Sequence, residues 1–256
     1  MYRYPGTELD LFSLAVNWKR YWITLVSPYI SGRVLEVGTG TGNNTGLIQS
    51  MCRGKFTAWT CLEPDITLID RLKQKIAFEK TGAVIEVVHG RVIDLPQTMP
   101  PYDTILYIDV LEHVKNDKTE LQSAANLLST NGHLIVLSPA HAFFYSEFDR
   151  RIGHFRRYTI GTLKRLTPQE CIPVLCRYLD SAGMIVSLVN RILFHQSAFK
   201  PGHIMIWDRF FIPVSRVLDT LTFGKIGKSL LMVWRKPPLS GKNSIHEINP
   251  NTRATD

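Results

Sequence analysis

The sequence has few cysteines, no long apolar run and no leader pattern, and each absence excludes a class of protein. Its 256 residues include four cysteines, with no Cys-x-x-Cys pair and no histidine at zinc-ligand spacing from them. We therefore expect neither a disulfide framework nor a metal site. No stretch approaches the ~20 apolar residues of a membrane-spanning helix, and the first residues lack the basic start and apolar core of a signal peptide. A cytoplasmic location is expected.

The charge is positive overall but unevenly distributed along the chain. Residues 1–140 contain 13 lysines and arginines against 14 acidic residues, whereas residues 141–256 contain 17 against 8. This excess predicts that the C-terminal part meets an anion, which would be a carboxylate or phosphate substrate, a membrane surface or a nucleic acid. Solubility alone is an equally good reason for such an excess.

Strand-like and helix-like segments alternate through the first 140 residues. An amphipathic cap helix is predicted over residues 8–27, where apolar residues recur every three or four positions. Strands and helices in alternation imply an α/β fold around a parallel sheet. The later segments are apolar, β-rich runs at 33–37, 56–62, 84–88, 103–108 and 133–137, with helical patterns at 65–80 and 118–128.

The pattern changes after Pro139. Two further apolar runs, Met184–Val189 and Ser229–Trp234, are predicted as strands that close the sheet as an antiparallel pair. Between them, at about residues 190–225, an amphipathic helical lid insertion is predicted. Residues 237–256 are polar without periodicity and are expected to form a flexible tail. Residues 1–236 are accordingly expected to form a single domain.

Three glycines follow the first predicted strand, in the segment Gly38-Thr39-Gly40-Thr41-Gly42. A glycine-rich turn between a strand and a helix lets the backbone approach a ligand closely, which is typical of nucleotide-type pockets. The third glycine of the dinucleotide fingerprint would fall at Asn43, and no Gly-Lys-Ser/Thr follows. The turn therefore indicates neither a dinucleotide site nor a P-loop.

Several segments match the motifs of one family. They are Glu36 joined to the glycine turn, Glu63-Pro64-Asp65 after the second strand, Gly90–Pro96 after the third, Tyr102–Val114 and Asn131–Val136. With these segments the chain resembles class I S-adenosylmethionine-dependent methyltransferases over roughly residues 9–236. The resemblance implies an α/β fold with a Rossmann-like, doubly wound, seven-stranded sheet, mostly parallel with an antiparallel edge strand, plus the helical lid insertion.

The loop after the fifth strand carries a finer likeness. The segments 138–141 and 149–159 resemble a bacterial branch of small-molecule methyltransferases whose loop reads Gly-His-(Tyr/Phe)-Arg-Arg-Tyr, and Phe155 stands at the Tyr/Phe position. This resemblance implies methyl transfer without naming an acceptor.

The family likeness implies S-adenosyl-L-methionine as cofactor and S-adenosyl-L-homocysteine as product. A carboxylate at the end of the second strand, here Glu63, can accept hydrogen bonds from both ribose hydroxyls. Glu36 would meet the ammonium group of the donor, and Arg91 stands where relatives carry an acid. The expected cofactor-binding residues are Glu36, Gly38, Thr39, Gly40, Gly42, Asn43, Glu63, Pro64, Arg91, Val92, Asp109 and Val110.

An oxygen or carbon acceptor must lose a proton during methyl transfer, and histidine is the usual base. His113, His141 and His154 are the candidate catalytic residues, and His113 could instead shape the donor pocket.

Five residues are expected to bind the substrate: Arg156, Arg157, Tyr158, Trp18 and Tyr21. The two arginines could clamp a carboxylate or phosphate, or one of them could pair with Asp149 and brace the loop. Tyr158 could face the acceptor or pack before the next helix, and the two aromatic residues of the cap helix could equally be core.

Three interpretations of function stay open. The first is methyl transfer to oxygen, nitrogen or carbon of a small-molecule acceptor, anionic or lipid-like, such as a secondary metabolite or an envelope precursor. The second is nucleic-acid methylation, but the fourth strand ends in Ile108-Asp109-Val110-Leu111, without the Asn/Asp-Pro-Pro-aromatic motif of base methylases. The third is a cyclase-like or binding protein that holds the donor and transfers no methyl group.

The expected partners follow from the first interpretation. They are a small-molecule acceptor, no nucleic acid, and an anionic lipid surface in peripheral contact with Ile204–Leu221. The chain is expected to be a monomer or a homodimer.

Overall fold

A computed structural model describes residues 3–6, 9–77, 83–96, 98–193 and 201–238. Its strands are β1 (Gly32–Val37), β2 (Phe56–Glu63), β3 (Val84–His89), β4 (Tyr102–Ile108), β5 (Leu128–Pro139), β6 (Ile172–Leu179) and β7 (Ser229–Arg235). Its helices are α1 (Leu9–Phe12), α2 (Val16–Val26), α3 (Thr45–Met51), α4 (Ile66–Ala77), α5 (Asp117–Asn126), α6 (Glu147–Arg151), α7 (Ile160–Lys164), α8 (Ser181–Leu193), α9 (Pro201–Ile206) and α10 (Ile212–Leu221).

The strands form one sheet in the order β3-β2-β1-β4-β5-β7-β6. The pairs from β3 to β5 are parallel, whereas β7 runs antiparallel to both β5 and β6. This arrangement confirms the predicted α/β, doubly wound, mostly parallel sheet with antiparallel pairing towards one edge. The strand order reverses between β1 and β4, which is where open α/β sheets bind ligands.

Successive strand residues face opposite sides of the sheet and feed two apolar cores. Val34 and Ile135 pack on one side with Trp22 of α2, whereas Leu35 and Leu134 pack on the other side. Because strands buried on both faces favour apolar residues at successive positions, the runs Ile105–Ile108 in β4 and Leu134–Leu137 in β5 are continuous rather than alternating. The sheet is thereby a rigid base for the loops at its carboxyl edge.

One predicted strand was wrong. Met184–Val189 lies within α8. A short apolar run without regular polar positions fits a helix as well as a strand, so its pattern could not decide between them. Ile185 and Val189 are 55% and 45% exposed. The edge strand is instead β6, which contains Pro173 at a shift of its register with β7. Proline is tolerated at such a position because an edge strand need not donate there.

The predicted cap helix over residues 8–27 is divided. Its described part forms α1, a turn over residues 13–15, and α2, followed by a single 3-10 turn from Ser27 to Tyr29. The break lets α1 reach the glycine turn, where the Asn43 side-chain amide donates to the Leu9 carbonyl oxygen at 2.9 Å. A tertiary contact thus outweighs the helical periodicity of the sequence.

The predicted lid insertion is helical where it is described. Helix α9 continues through one π-helical turn, Trp207–Phe211, into α10, and Pro213 lies in the first turn of α10. Residues 194–200 of the predicted lid and 239–256 of the predicted tail lie outside the described residues. Among the helices that the structure describes, none has the length and apolar character needed to cross a bilayer.

An exposed apolar stripe runs along this helical segment. We call it the lid face, and it consists of Ile206, Phe210, Val214, Val217 and Leu221, which are 49–69% exposed. Their spacing of four, four, three and four residues places them on one side of the helix. The lid face therefore has the pattern of a helix buried on that side, yet no other described part of the chain covers it.

Candidate active site

A cavity of about 290 Å³ lies at the carboxyl edge of the sheet, close to the small end of typical ligand pockets. Its wall comes from the glycine turn, the ends of β2 and β4, the loop after β5 and the start of β7. The N-terminal segment and the π-helical turn also contribute residues to its wall. Aromatic and aliphatic side chains that line it are Tyr4, Leu9, Phe12, Trp18, Trp22, Leu68, Ile108, Val110, Phe148, Ile152 and Trp207.

The glycine turn reaches the cavity because Gly38 has a left-handed backbone, with φ of +64°. A Cβ atom at this position would lie 2.6 Å from Val110 Cγ2, so the loop after β4 can pack against the turn only when residue 38 is glycine. Gly38, Thr39 and Gly40 line the cavity. Gly42 follows outside its wall.

Glu63 ends β2 beside this turn, and its side chain lines the cavity. Its Oε2 atom accepts from the Gly40 N–H at 2.7 Å, and its Oε1 atom accepts from the Asp65 N–H at 2.9 Å. Burial raises the pKa of this carboxyl group, and the two backbone donors oppose that rise. Each carboxylate oxygen has a second lone pair, so the group can still accept from a diol.

Glu36, by contrast, lies beneath the turn and outside the cavity wall. Its Oε2 atom accepts from Trp59 Nε1 at 3.0 Å, and burial raises its pKa to about 7. The structure therefore does not bring Glu36 to the ligand as the sequence predicts.

The other residues predicted to bind the cofactor fall into two groups. Asn43, Pro64, Asp109 and Val110 line the cavity, and Asp109 does so from a left-handed backbone with φ of +55°. Arg91 and Val92 lie apart from it, because Arg91 pairs with Asp94 at 3.1 Å on the surface and Val92 is buried in the core.

His154 is held at the cavity wall by a buried carboxylate. Its Nδ1 atom lies 2.9 Å from Asp149 Oδ1, and the same carboxylate accepts from Arg157 Nε and Nη2 at 2.8 and 3.0 Å. Burial alone would raise the pKa of Asp149, but the hydrogen bonds from His154, Arg157 and Ser146 hold it well below its usual range. Asp149 thus stays ionised and leaves Nε2 of His154 for a ligand.

His113 and Glu112 complete this end of the cavity. The His113 ring meets the His154 ring edge-on, with centroids 4.5 Å apart. Burial and the neighbouring His154 lower the pKa of His113 to about 3, so it is neutral. Glu112 is fully buried, and burial raises its pKa. We call Glu112, His113 and His154 the carboxylate–histidine cluster.

His141 is not part of this cluster. Its Nε2 atom contacts the Gly227 carbonyl oxygen at 3.0 Å and its ring stacks on Tyr178, outside the cavity wall. Its role as a base stays a prediction that the geometry does not favour.

The predicted substrate-binding residues are only partly brought together. Arg157 and Trp18 line the cavity, and the pairing of Arg157 with Asp149 is the bracing role that the sequence left open. Arg156 turns away to Asp117 at 2.6 Å, and Tyr158 donates to the same carboxylate at 2.9 Å from a buried position. Tyr21 donates to Asp219 at 2.8 Å below the lid helices.

Several cavity residues were missed by sequence reasoning. Lys19, Asp180, Trp207 and Lys228 line the wall, and the Trp207 indole donates to Asp180 Oδ2 at 2.9 Å. Burial lowers the pKa of Lys19 to about 8. These residues come from the cap helix, the end of β6, the lid and the start of β7, and no local motif marks them.

Comparison with known proteins agrees with this geometry. An alignment over 198 residues, which covers 66% of this chain, shows 26% identity to polyketide synthase 31 of Dictyostelium discoideum, and it spans only 7% of that protein. Among solved structures, coclaurine N-methyltransferase bound to N-methylheliamine and S-adenosylhomocysteine is 13% identical, with a TM-score of 0.58 over 85% of this chain and 72% of that one. The cyclase SpnF is 15% identical, with a TM-score of 0.59 over 91% and 94%.

At these identities the solved structures show a shared fold alone. The decisive finding is a family model, described as a methyltransferase domain, that matches residues 19–170, more than half of the chain. The matched span includes the glycine turn, Glu63 and the carboxylate–histidine cluster. The chain therefore belongs to the methyltransferase domain family.

Proposed function

We propose that this chain transfers a methyl group from S-adenosylmethionine to an oxygen, nitrogen or carbon atom of a small-molecule acceptor, as in the bacterial branch with the Gly-His-(Tyr/Phe)-Arg-Arg-Tyr loop. One observation carries the proposal. A single cavity wall joins the glycine turn and Glu63 at one end to the carboxylate–histidine cluster at the other. Donor and acceptor would therefore meet in line between these two groups of residues.

The residues at the first end fit the donor. The Gly38–Gly40 backbone comes to the cavity surface without side-chain bulk, and Glu63 offers carboxylate lone pairs for the ribose hydroxyls. When bound, S-adenosylmethionine supplies an electrophilic methyl group on a sulfonium. The chain itself holds donor and acceptor aligned and excludes water, which accounts for most of the rate in such a displacement.

The residues at the other end fit an acceptor with an apolar, lipid-like body and one reactive polar atom. Trp18, Phe148 and Ile152 supply apolar wall. The carboxylate–histidine cluster lies where the proton of a hydroxyl or carbon acid would be removed, and Asp149 fixes the orientation of His154. Arg157 and Lys228 place positive charge beside Asp149 and Asp180 in the same wall.

Calorimetric titration with S-adenosylmethionine and S-adenosylhomocysteine tests whether the glycine turn and Glu63 bind the methyl donor. We expect binding to the unaltered chain and a loss on the order of 100-fold in affinity for Glu63→Ala, because two charge-assisted hydrogen bonds to the ligand disappear. Glu86→Ala is the matched control, since Glu86 is an exposed acid on the neighbouring strand β3. Absence of binding to the unaltered chain would refute the proposed function.

The fold of SpnF shows that a cyclase can share this architecture, so donor binding alone does not establish methyl transfer. Transfer of the labelled methyl group to candidate acceptors separates the two functions. We expect labelled product with hydroxylated apolar acceptors. Tight donor binding without labelled product from any acceptor class would favour a cyclase-like or binding role.

A further inference from the structure

The carboxylate–histidine cluster contains three potential metal ligands. Glu112, His113 and His154 each offer one ligand atom, and the three atoms lie within 4.8 Å of one another. Glu112 Oε1 and His154 Nε2 are 3.8 Å apart, which is too far for a hydrogen bond. All three residues line the cavity.

One polar atom of the cluster, Glu112 Oε1, lacks a hydrogen-bond partner within the part of the chain that the structure describes. The His113 ring does have a partner, because a hydrogen bond to the Gly153 backbone opposes the lowering of its pKa by burial. Glu112 is fully buried, and a buried carboxylate oxygen without a donor is unfavourable unless a ligand satisfies it. The unpartnered oxygen is therefore available to a ligand at the cavity wall.

The other atoms of two of these ligands are held by neighbouring side chains. His154 Nδ1 lies 2.9 Å from Asp149 Oδ1, and Ser138 Oγ donates to Glu112 Oε2 at 2.9 Å. Histidine and carboxylate ligands of metal ions are typically oriented in this way, because a hydrogen bond on the far atom fixes the tautomer and the ring plane. The cluster has these supporting bonds in place.

We propose that Glu112, His113 and His154 bind one divalent cation of the zinc class at the cavity wall. Two imidazole nitrogens and one carboxylate oxygen suit zinc and neighbouring transition metals, whereas magnesium and calcium prefer oxygen alone. The ligand atoms of a tetrahedral zinc lie ~3.3 Å apart. Shifts of about 1 Å or less in each side chain would bring the three ligand atoms to this spacing. Three protein ligands leave a fourth position open to the cavity.

The consequence for the reaction rests on the proposed function. An acceptor hydroxyl at the open position would lose its proton to water more readily, because the cation lowers the pKa of the oxygen that it binds. The new bond forms between that oxygen and the methyl carbon, the carbon–sulfur bond breaks, and its electron pair stays on sulfur. His154 then serves as a ligand, and no free histidine base is required.

Zinc binding to tag-free, chelator-treated protein tests the site without any acceptor. We expect one equivalent of zinc by competition with a chromophoric chelator, and visible d–d absorption of four-coordinate cobalt when cobalt replaces zinc. Glu112→Gln and His154→Gln should each weaken zinc binding at least ~100-fold, and Asp149→Asn by ~10–100-fold through the orientation of His154. His203→Gln, an exposed histidine of α9, is the matched control and should bind zinc as the unaltered chain does.

The outcomes separate this proposal from the proposed function. S-adenosylhomocysteine binding by each variant shows that it is folded, and the cobalt spectrum of the unaltered chain requires no variant. No stoichiometric zinc, or equal zinc affinity in Glu112→Gln and His203→Gln, would overturn the metal site. Zinc binding without methyl transfer would leave the metal site standing and remove the proposed function. Full methyl transfer by metal-free protein would leave the proposed function standing and overturn the role of the cation in the reaction.

Discussion

Glu36 shows how burial alone can make one residue sensitive to pH. It is 3% exposed and accepts a hydrogen bond from Trp59 Nε1, and burial raises its pKa to about 7 although hydrogen bonds from Thr45 and Trp59 oppose the rise. Well below pH 4.5 it is protonated in both the folded and the unfolded chain. Between there and pH 7 only the unfolded chain ionises, so its contribution to the free energy of unfolding falls as the pH rises.

We expect Glu36→Gln to remove this loss, because glutamine stays neutral and keeps an acceptor for Trp59. At pH 8 the variant should have a free energy of unfolding about 3 kcal/mol above that of the unaltered chain, because burial raises the pKa from 4.5 to about 7 and each pKa unit corresponds to roughly 1.4 kcal/mol. At pH 5 the difference should shrink to below about 1 kcal/mol. Urea unfolding at the two pH values measures this, with the exposed Glu86→Gln as control. A difference in the free energy of unfolding that does not change with pH would contradict the raised pKa of Glu36.

The sequence predicts single site residues where a motif carries them and fails where the fold alone brings them together. Glu63 and His154 stand in recognisable segments, and both line the cavity. Trp207 and Lys228 stand in no motif, because they come from elements far apart in the chain. The carboxylate–histidine cluster also joins distant positions, so metal-ligand spacing could not show it in the sequence.

At the scale of elements, Asp219 links α2, α8 and α10. Its buried carboxylate accepts from Tyr21 Oη at 2.8 Å and from the backbone N–H groups of Asp180 and Ser181 at 2.8 and 3.0 Å. These backbone groups open α8, where helix N–H groups have no partner in the helix itself. A side chain from α10 thus supplies the cap that the start of α8 needs.

We expect Asp219→Asn to lower the free energy of unfolding by on the order of 3–4 kcal/mol, because the amide group places N–H donors against N–H donors in a buried site. Asp70→Asn changes an exposed acid of α4 in the same way and should cost less than about 0.5 kcal/mol. Urea unfolding of both variants makes the comparison. Equal effects would show that the three helices are held by apolar packing alone.

Element prediction was accurate where flanking signals agreed with the apolar pattern. The strands β1 to β5 each end at a turn, and the sequence placed all five, although β5 starts at Leu128, five residues before the predicted run at 133–137. The sequence predicted part of α8 as a strand and missed β6. Both errors concern which segment forms the edge strand beside β7. Met184–Val189 is apolar except for Ser187, and Pro173 obscures β6 in the sequence, so only the hydrogen bonds of β7 decide which segment pairs.

At the scale of the whole molecule, the basic excess and the lid face occupy the same part of the chain. Arg209 and Arg216 each precede a residue of the lid face, Phe210 and Val217. Residues 181–228 contain two acids, Asp208 and Asp219, and both are buried. An apolar stripe bordered by arginines and free of exposed acid suits an anionic lipid surface.

We propose that the lid face lies on anionic membranes, and we expect the protein to sediment with vesicles that contain phosphatidylglycerol and to be released by salt. Exchange of Phe210 and Leu221 for serine should abolish this sedimentation. The matched control exchanges Val84 and Ile93, which are 73% and 62% exposed on another part of the surface. Sedimentation that survives the first exchange would refute the proposal, and a dimer that the exchange dissociates would instead assign the lid face to a second copy.

The bond between the lid and the cap helix links that surface to the cavity. Asp208, in the π-helical turn beside Phe210, accepts from the backbone N–H groups of Asn17 and Trp18 at 3.0 and 2.8 Å, and Trp18 is part of the cavity wall. A displacement of the lid therefore moves that wall. If lipid contact favours one lid position, the coupling is reciprocal. Vesicles then raise the affinity for acceptor by the same factor by which acceptor raises the affinity for vesicles.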